Sequence, residues 1–175
     1  MAHLAQFDFV KEVRQSFPEM FENKNVLEVG SLDINGSVRD IFSDCSYIGV
    51  DLDYGSGIDL VCAGQDLRFR PGFFDVSISC ECFEHNPHWY ETFANMIRMT
   101  KHLVIVTCAT DGRPEHGTSR TTYQDSPFNA EWNYYRNLTA EDFRNRCDFS
   151  MFKNFEFHTN QKTHDLYFWG IKHSL

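Results

Sequence analysis

Residues 103–108, Leu-Val-Ile-Val-Thr-Cys, form an unbroken β-rich, almost wholly apolar run. A strand with one face in water alternates polar and apolar residues, whereas a strand covered on both faces does not, and the second pattern is that of a central strand in a parallel sheet. Parallel neighbours need crossover connections, which are usually helical and lie on the faces of the sheet. The chain supplies both kinds of element. Residues 25–29 (Asn-Val-Leu-Glu-Val), 47–50 (Tyr-Ile-Gly-Val), 58–61 (Ile-Asp-Leu-Val) and 73–79 (Phe-Phe-Asp-Val-Ser-Ile-Ser) read as further short strands. Leu4, Phe7, Val10, Val13 and Phe17 recur at helical spacing and predict an N-terminal amphipathic helix to about Phe17, broken at Pro18. Asn86-Pro87 predicts the start of a second helix over 87–100 that places Trp89, Phe93, Met96 and Ile97 on one face. Thr139-Ala140-Glu141-Asp142 predicts the cap of a third, running toward Cys147. Residues 151–159 and 165–173 then read as two strands joined by a turn too short for anything but antiparallel pairing.

Strands alternating with helices imply an α/β domain, a doubly wound and mostly parallel sheet closed by a C-terminal antiparallel hairpin. A chain of 175 residues suits one domain over 1–175, with an N-terminal helix within 1–24. From residue 109 to 137 the periodicity fails, and so long an irregular stretch in so short a chain is a candidate substrate loop. No apolar run approaches the roughly 20 residues of a membrane span. Residues 1–21 carry Asp8, Lys11, Glu12 and Arg14 where a secretory signal would be apolar, so a cytoplasmic location without membrane contact is expected. The six cysteines contain no C-x-x-C pair and read as free thiols. The net charge is −9, and residues 1–112 hold 17 acids against 8 bases. That excess argues against a nucleic-acid partner and suits a small cationic ligand.

The strand at 25–29 runs into a glycine-bounded polar turn, Gly30 to Gly36, and the strand at 47–50 ends on Asp51. A turn of this kind after the first strand, followed about twenty residues later by an acid, is how a βαβ unit grips a nucleotide and its ribose.

With these elements in this order the chain resembles the class I S-adenosylmethionine-dependent methyltransferases, small bacterial and phage methyltransferase-domain proteins in particular, over about residues 25–173. Glu28-x-Gly30 looks like the family's first-strand signature and Asp51 like its ribose-binding acid. Gln65-Asp66 looks like the adenine-side link, and Phe74-Asp75-Val76 with Glu81-x-x-Glu84-His85 like the fourth-strand signature. The resemblance implies a Rossmann-like fold, S-adenosylmethionine as cofactor, and methyl transfer to a small-molecule or glycan-like acceptor. It implies cofactor contacts from Glu28, Gly30, Ser31, Asn35, Asp51, Leu52, Gln65, Asp66, Leu67 and Cys80, with Cys80 offering its backbone carbonyl. Two features depart from the family: the first turn has a longer glycine-to-glycine spacing, and no proline-glycine-glycine turn precedes the strand at 103.

Methyl transfer needs positioning above all, and a base only when the acceptor must lose a proton. His85 and His116 are the candidate general bases; Glu84 and Glu115 are weaker candidates, read more simply as solvated charges. Arg113, Arg120, Tyr135 and Arg136 are candidate acceptor contacts in the long loop, together with Tyr123, Trp132 and Tyr134. Asp111, Glu115 and His116 could hold a divalent ion, but their spacing selects none and no metal site is assigned. The alternatives are a nicotinamide-dependent oxidoreductase, which uses a similar turn and acid, and a non-catalytic cofactor-binding module of the same fold.

Overall fold

Five parallel strands and an antiparallel pair form one seven-stranded sheet in the order β3-β2-β1-β4-β5-β7-β6. The strands are β1 (Asn25–Val29), β2 (Ser46–Asp51), β3 (Leu60–Val61), β4 (Phe74–Cys80), β5 (Thr100–Ala109), β6 (Phe152–Asn160) and β7 (Asp165–Lys172). The computed structural model describes residues 4–34, 36–121 and 133–173. Within it β1 pairs in parallel with β2 and β4, β4 with β5, and β7 runs antiparallel to both β5 and β6.

The unbroken apolar run at β5 has the cause its sequence suggested. Leu103 and Ile105 face one core, Val104, Val106 and Cys108 the other, and all five are buried. Helix α1 (Leu4–Ser16) covers the first face with Phe9, Val10 and Val13, and Phe9 stacks on Tyr167 of β7 at 4.5 Å. Helix α2 (Trp89–Met99) and helix α3 (Ala140–Arg146) cover the second. There Phe143 lies among Phe83, Trp89 and Phe93, each fully or almost fully buried, and burial on this scale contributes about 2–3 kcal/mol per ring. Thr139 and Asp142 form the capping box that starts α3.

Several element bounds differ from the sequence reading by a few residues, and three differences change the connections. Helix α2 begins at Trp89 because Asn86 and Pro87 form a preceding turn in which the Asn86 carboxamide accepts the His88 N–H at 2.8 Å. Strand β5 begins at Thr100 rather than Leu103, since α2 passes into it with no loop and the Thr100 hydroxyl donates back to Met96 O at 2.6 Å. That explains the missing proline-glycine-glycine turn. The crossover from β1 to β2 carries only a short 3-10 turn, Val38–Ile41, in place of an α-helix. Among the described residues no helix is long and apolar enough to cross a membrane.

Candidate active site

All five parallel strands end on the same rim of the sheet, where an open α/β fold holds its ligands. The rim divides into two parts.

The first part lies at the ends of β1 and β2. Gly30 turns the chain at φ +81°, and a Cβ built on it would stand 2.4 Å from the Cβ of Cys82, so only glycine fits. Four consecutive backbone N–H groups then find internal acceptors. Those of Gly30 and Ser31 donate to Val50 O at 2.9 and 3.1 Å, that of Asp33 to Ser56 O at 2.9 Å, and that of Leu32 to Asp51 Oδ2 at 3.0 Å. Asp51 also accepts the Leu52 N–H on Oδ1 at 2.8 Å. Each carboxylate oxygen therefore has one backbone donor and retains a lone pair. Burial raises the Asp51 pKa, opposed by those two bonds. Beside it Leu52 and Tyr54 leave apolar surface in water, at 38% and 82% exposure.

The other residues read as cofactor contacts sit around this end. Glu28 is buried and accepts from the Tyr47 hydroxyl at 2.9 Å, and burial raises its pKa to about 7. The Ser31 side chain is buried beneath the turn against Gly49 rather than turned outward. Gln65 accepts from the Thr92 hydroxyl at 3.2 Å, while Asp66 is exposed and 3.5 Å from Arg68. The Leu67 carbonyl is taken by Asn95 and Arg98. Cys80 ends β4 with its thiol buried and its pKa pushed up to about 12, and burial raises that of Cys82 as well, so neither is a thiolate. Asn35, Tyr123 and Trp132 lie outside the described residues.

The second part lies beyond β4 and β5. Glu81 follows β4 in the left-handed region, φ +50°, a strained conformation for a residue with a side chain. Its carboxylate meets Gln6 of α1 and stands 3.6 Å from Arg113 and 3.7 Å from His116 Nε2, and the residue is buried. Glu84 sits on the short 3-10 turn Phe83–His85 and is wholly buried, contrary to its reading as a solvated charge. It accepts the Ala109 N–H on Oε1 at 3.2 Å, and that oxygen is 3.9 Å from His116 Nε2. Oε2 has no hydrogen-bond partner, and neither has the buried Nδ1 of His85. Burial and then the charge of Glu84 raise the Glu81 pKa to about 8, and burial raises that of Glu84 too. His85, with its ring 5.0 Å from that of His116 and 5.5 Å from that of Tyr135, is lowered to about 3, chiefly by burial and then by His116. At that value it is a neutral imidazole and too weak a base to take a proton near pH 7.

The long loop's cations are held by neighbouring acids. Arg113 reaches back to Asp165 at 2.9 Å and donates to Thr163 O at 2.7 Å; Arg120 pairs with Glu115 at 2.6 Å; Arg136 pairs with Asp142 of the α3 cap. Tyr135 is brought over the two imidazoles because its segment is pinned at both ends. The Arg136 N–H donates to Glu84 O and the Leu138 N–H to Ala109 O, both at 2.9 Å. Sequence reading missed Cys82, Gln6, Asp165 and the buried state of Glu84. Only the Glu-x-x-Glu-His spacing hinted at the last of these. A recess of about 340 Å³ lined by Gly72, Ile97, Arg98 and Met151 lies away from both parts.

No protein-family model and no curated protein matches the chain. Solved structures do. Phosphoethanolamine N-methyltransferase 2 of Haemonchus contortus, in complex with S-adenosyl-L-methionine, aligns at TM-score 0.65 and 15% identity over 94% of this chain, which spans about half (52%) of that protein. Magnesium protoporphyrin IX methyltransferase of Synechocystis, with its cofactor bound, aligns at 0.63 and 11%, covering 97% of this chain and 79% of that one. The YcgJ protein of Bacillus subtilis aligns at 0.63 and 10% over 99% and 100% of the two chains. The likeness is one of fold: the chain has the class I S-adenosylmethionine-dependent methyltransferase fold.

Proposed function

We propose that the protein binds S-adenosyl-L-methionine at the ends of β1 and β2 and transfers its methyl group to a small-molecule or glycan-like acceptor held at the ends of β4 and β5. The observation that carries this reading is the turn at 30–33. A dinucleotide's pyrophosphate requires unspent backbone N–H groups at a helix N-terminus. Here four successive N–H groups are already bonded within the protein and no α-helix follows, which disfavours the nicotinamide alternative. An adenosine with a cationic tail needs no such cradle.

The residues present fit that cofactor. Asp51 keeps two lone pairs for the ribose hydroxyls, Leu52 and Tyr54 offer apolar surface for the adenine, and the acidic first two-thirds of the chain favours a positive ligand. When bound, the cofactor supplies an electrophilic methyl group on a sulfonium. The chain's own part is to hold the acceptor and exclude water. With Arg113, Arg120 and Arg136 already paired to acids, a neutral hydroxylated acceptor suits the loop better than a strong anion. Three of the solved neighbours are named for phosphoethanolamine, magnesium protoporphyrin IX and 1,6-didemethyltoxoflavin, which are small molecules.

Calorimetric titration with S-adenosylhomocysteine tests the reading. Wild type should bind one equivalent, and Asp51→Ala should bind about a hundredfold more weakly, the loss of two charge-assisted hydrogen bonds. A folded protein that ignores this ligand but is stabilised by a nicotinamide dinucleotide in a thermal-shift assay would sink it.

A further inference from the structure

We propose that Glu84, His85 and His116 form a binding site for one divalent first-row transition-metal ion. One ligating atom from each of the three lies within 4.8 Å of the others. A metal that takes donors at roughly 2.0–2.2 Å draws such a group together with small side-chain adjustments.

The hydrogen bonding leaves open ligand atoms in this group. Buried polar atoms almost always find a partner, and an exception calls for an explanation. Two exceptions, Glu84 Oε2 and His85 Nδ1, occur on adjacent residues here, and Glu84 is completely buried. Both imidazoles are also arranged as ligands are. His116 Nδ1 lies 3.1 Å from Pro114 O, and a carbonyl can only accept, so the proton is on Nδ1 and in the neutral ring the lone pair is on Nε2. That lone pair faces the carboxylates of Glu81 and Glu84 at 3.7 and 3.9 Å, a spacing that a cation can bridge. His85 bonds to the Tyr134 backbone, and since its Nδ1 has no partner, Nε2 makes that bond. A ring N–H given to a backbone carbonyl, with the other nitrogen left open, is the usual support of a metal-bound histidine.

The donor chemistry narrows the ion. Two imidazoles and a carboxylate suit zinc, manganese, iron or cobalt better than magnesium or calcium, which prefer oxygen. The Arg113 guanidinium is engaged with Asp165 at 2.9 Å and Glu81 at 3.6 Å. The trio considered from sequence, Asp111, Glu115 and His116, is not assembled: Asp111 is exposed, and Glu115 is held by Thr118 and Arg120. On the methyl-transfer reading, on which this role alone rests, the ion's open positions would hold and polarise an oxygen of the acceptor.

The test is a titration of the chelator-treated full chain with Co²⁺, read by its visible d–d absorption and by displacement with Zn²⁺. One saturable equivalent is expected. Glu84→Gln and His116→Ala should each weaken binding at least about tenfold, and Asp111→Asn should not change it. His116 is partly exposed, so its alanine variant remains informative if Glu84→Gln does not fold. Absent or multi-equivalent binding that Glu84→Gln and His116→Ala leave unaltered would overturn the proposal, as would weakening by Asp111→Asn instead. S-adenosylhomocysteine titration of the same samples separates the two readings. Cobalt binding without it removes the methyltransferase reading and keeps the metal site, and the reverse removes the metal site alone.

Discussion

The two parts of the rim satisfy their polar groups in different ways. At the ends of β1 and β2, four successive N–H groups find acceptors on Val50, Ser56 and Asp51, and the Ser31 hydroxyl is the buried group of this turn left without a partner. At the ends of β4 and β5, two carboxylates are buried beside half-buried imidazoles, with Glu84 Oε2 and His85 Nδ1 unmatched. A turn matched through its backbone is rigid before any ligand arrives, which is what positioning a cofactor requires. An unmatched buried cluster carries a desolvation penalty of about 1–3 kcal/mol per group that a ligand can relieve. The difference separates a preformed seat from a site that something else completes.

The strongest way to break this contrast is at Gly30. Gly30→Ala combines a left-handed φ with a 2.4 Å approach to Cys82 and should lower stability by about 3 kcal/mol or more in urea denaturation. Cys82→Gly in the same chain should recover part of the loss; full stability of the single variant would mean that the turn is not rigid. The next effect is a pH dependence centred on Glu28. Its proton leaves near pH 4.5 in the unfolded chain and near 7 in the folded one, so the folded state holds more protons between those values. Its contribution to stability therefore declines as pH rises from about 4.5 to 7 and levels off above, by about 3 kcal/mol. Glu28→Gln should flatten that part of the profile, measured as the difference in urea midpoint between variant and wild type at pH 5 and pH 8.

Asp51→Ala should be milder for the fold than for the ligand. Leu32 and Leu52 lose their acceptor, a loss of about 1–2 kcal/mol by thermal unfolding, and Asp51→Asn should retain most of that stability. The smallest effect is expected in the second part. Glu84→Gln removes a buried carboxylate with an unmatched oxygen, so the fold in chelator should be unchanged or up to about 1 kcal/mol more stable. A loss as large as that of Gly30→Ala would place Glu84 among the groups that hold the sheet together and would erase the contrast.

The first part was legible in the sequence because its residues are neighbours along two strands and one turn. Gly30 and Asp51 are marked by local grammar: a glycine where φ must be positive, and an acid at a strand end. The second part was half legible. Glu81, Glu84 and His85 share a short segment, but nothing in that segment says that Glu84 is fully buried. Its burial comes with β5 and the pinned segment around Tyr135, which are distant in sequence. Likewise Arg113 looked like a free cation of a loop until β7 brought Asp165 beneath it.

The mostly parallel α/β class, the closing hairpin and the glycine turn after the first strand follow from the sequence alone, because hydrophobic period, glycine placement and short connections are local constraints that each admit few folds. Which charged groups meet, and which are left without partners, was decided only in three dimensions. Burial and pairing of a side chain depend on elements tens of residues away, and the hydrogen-bonding state of Glu84, His85 and His116 follows from that packing rather than from their own identities.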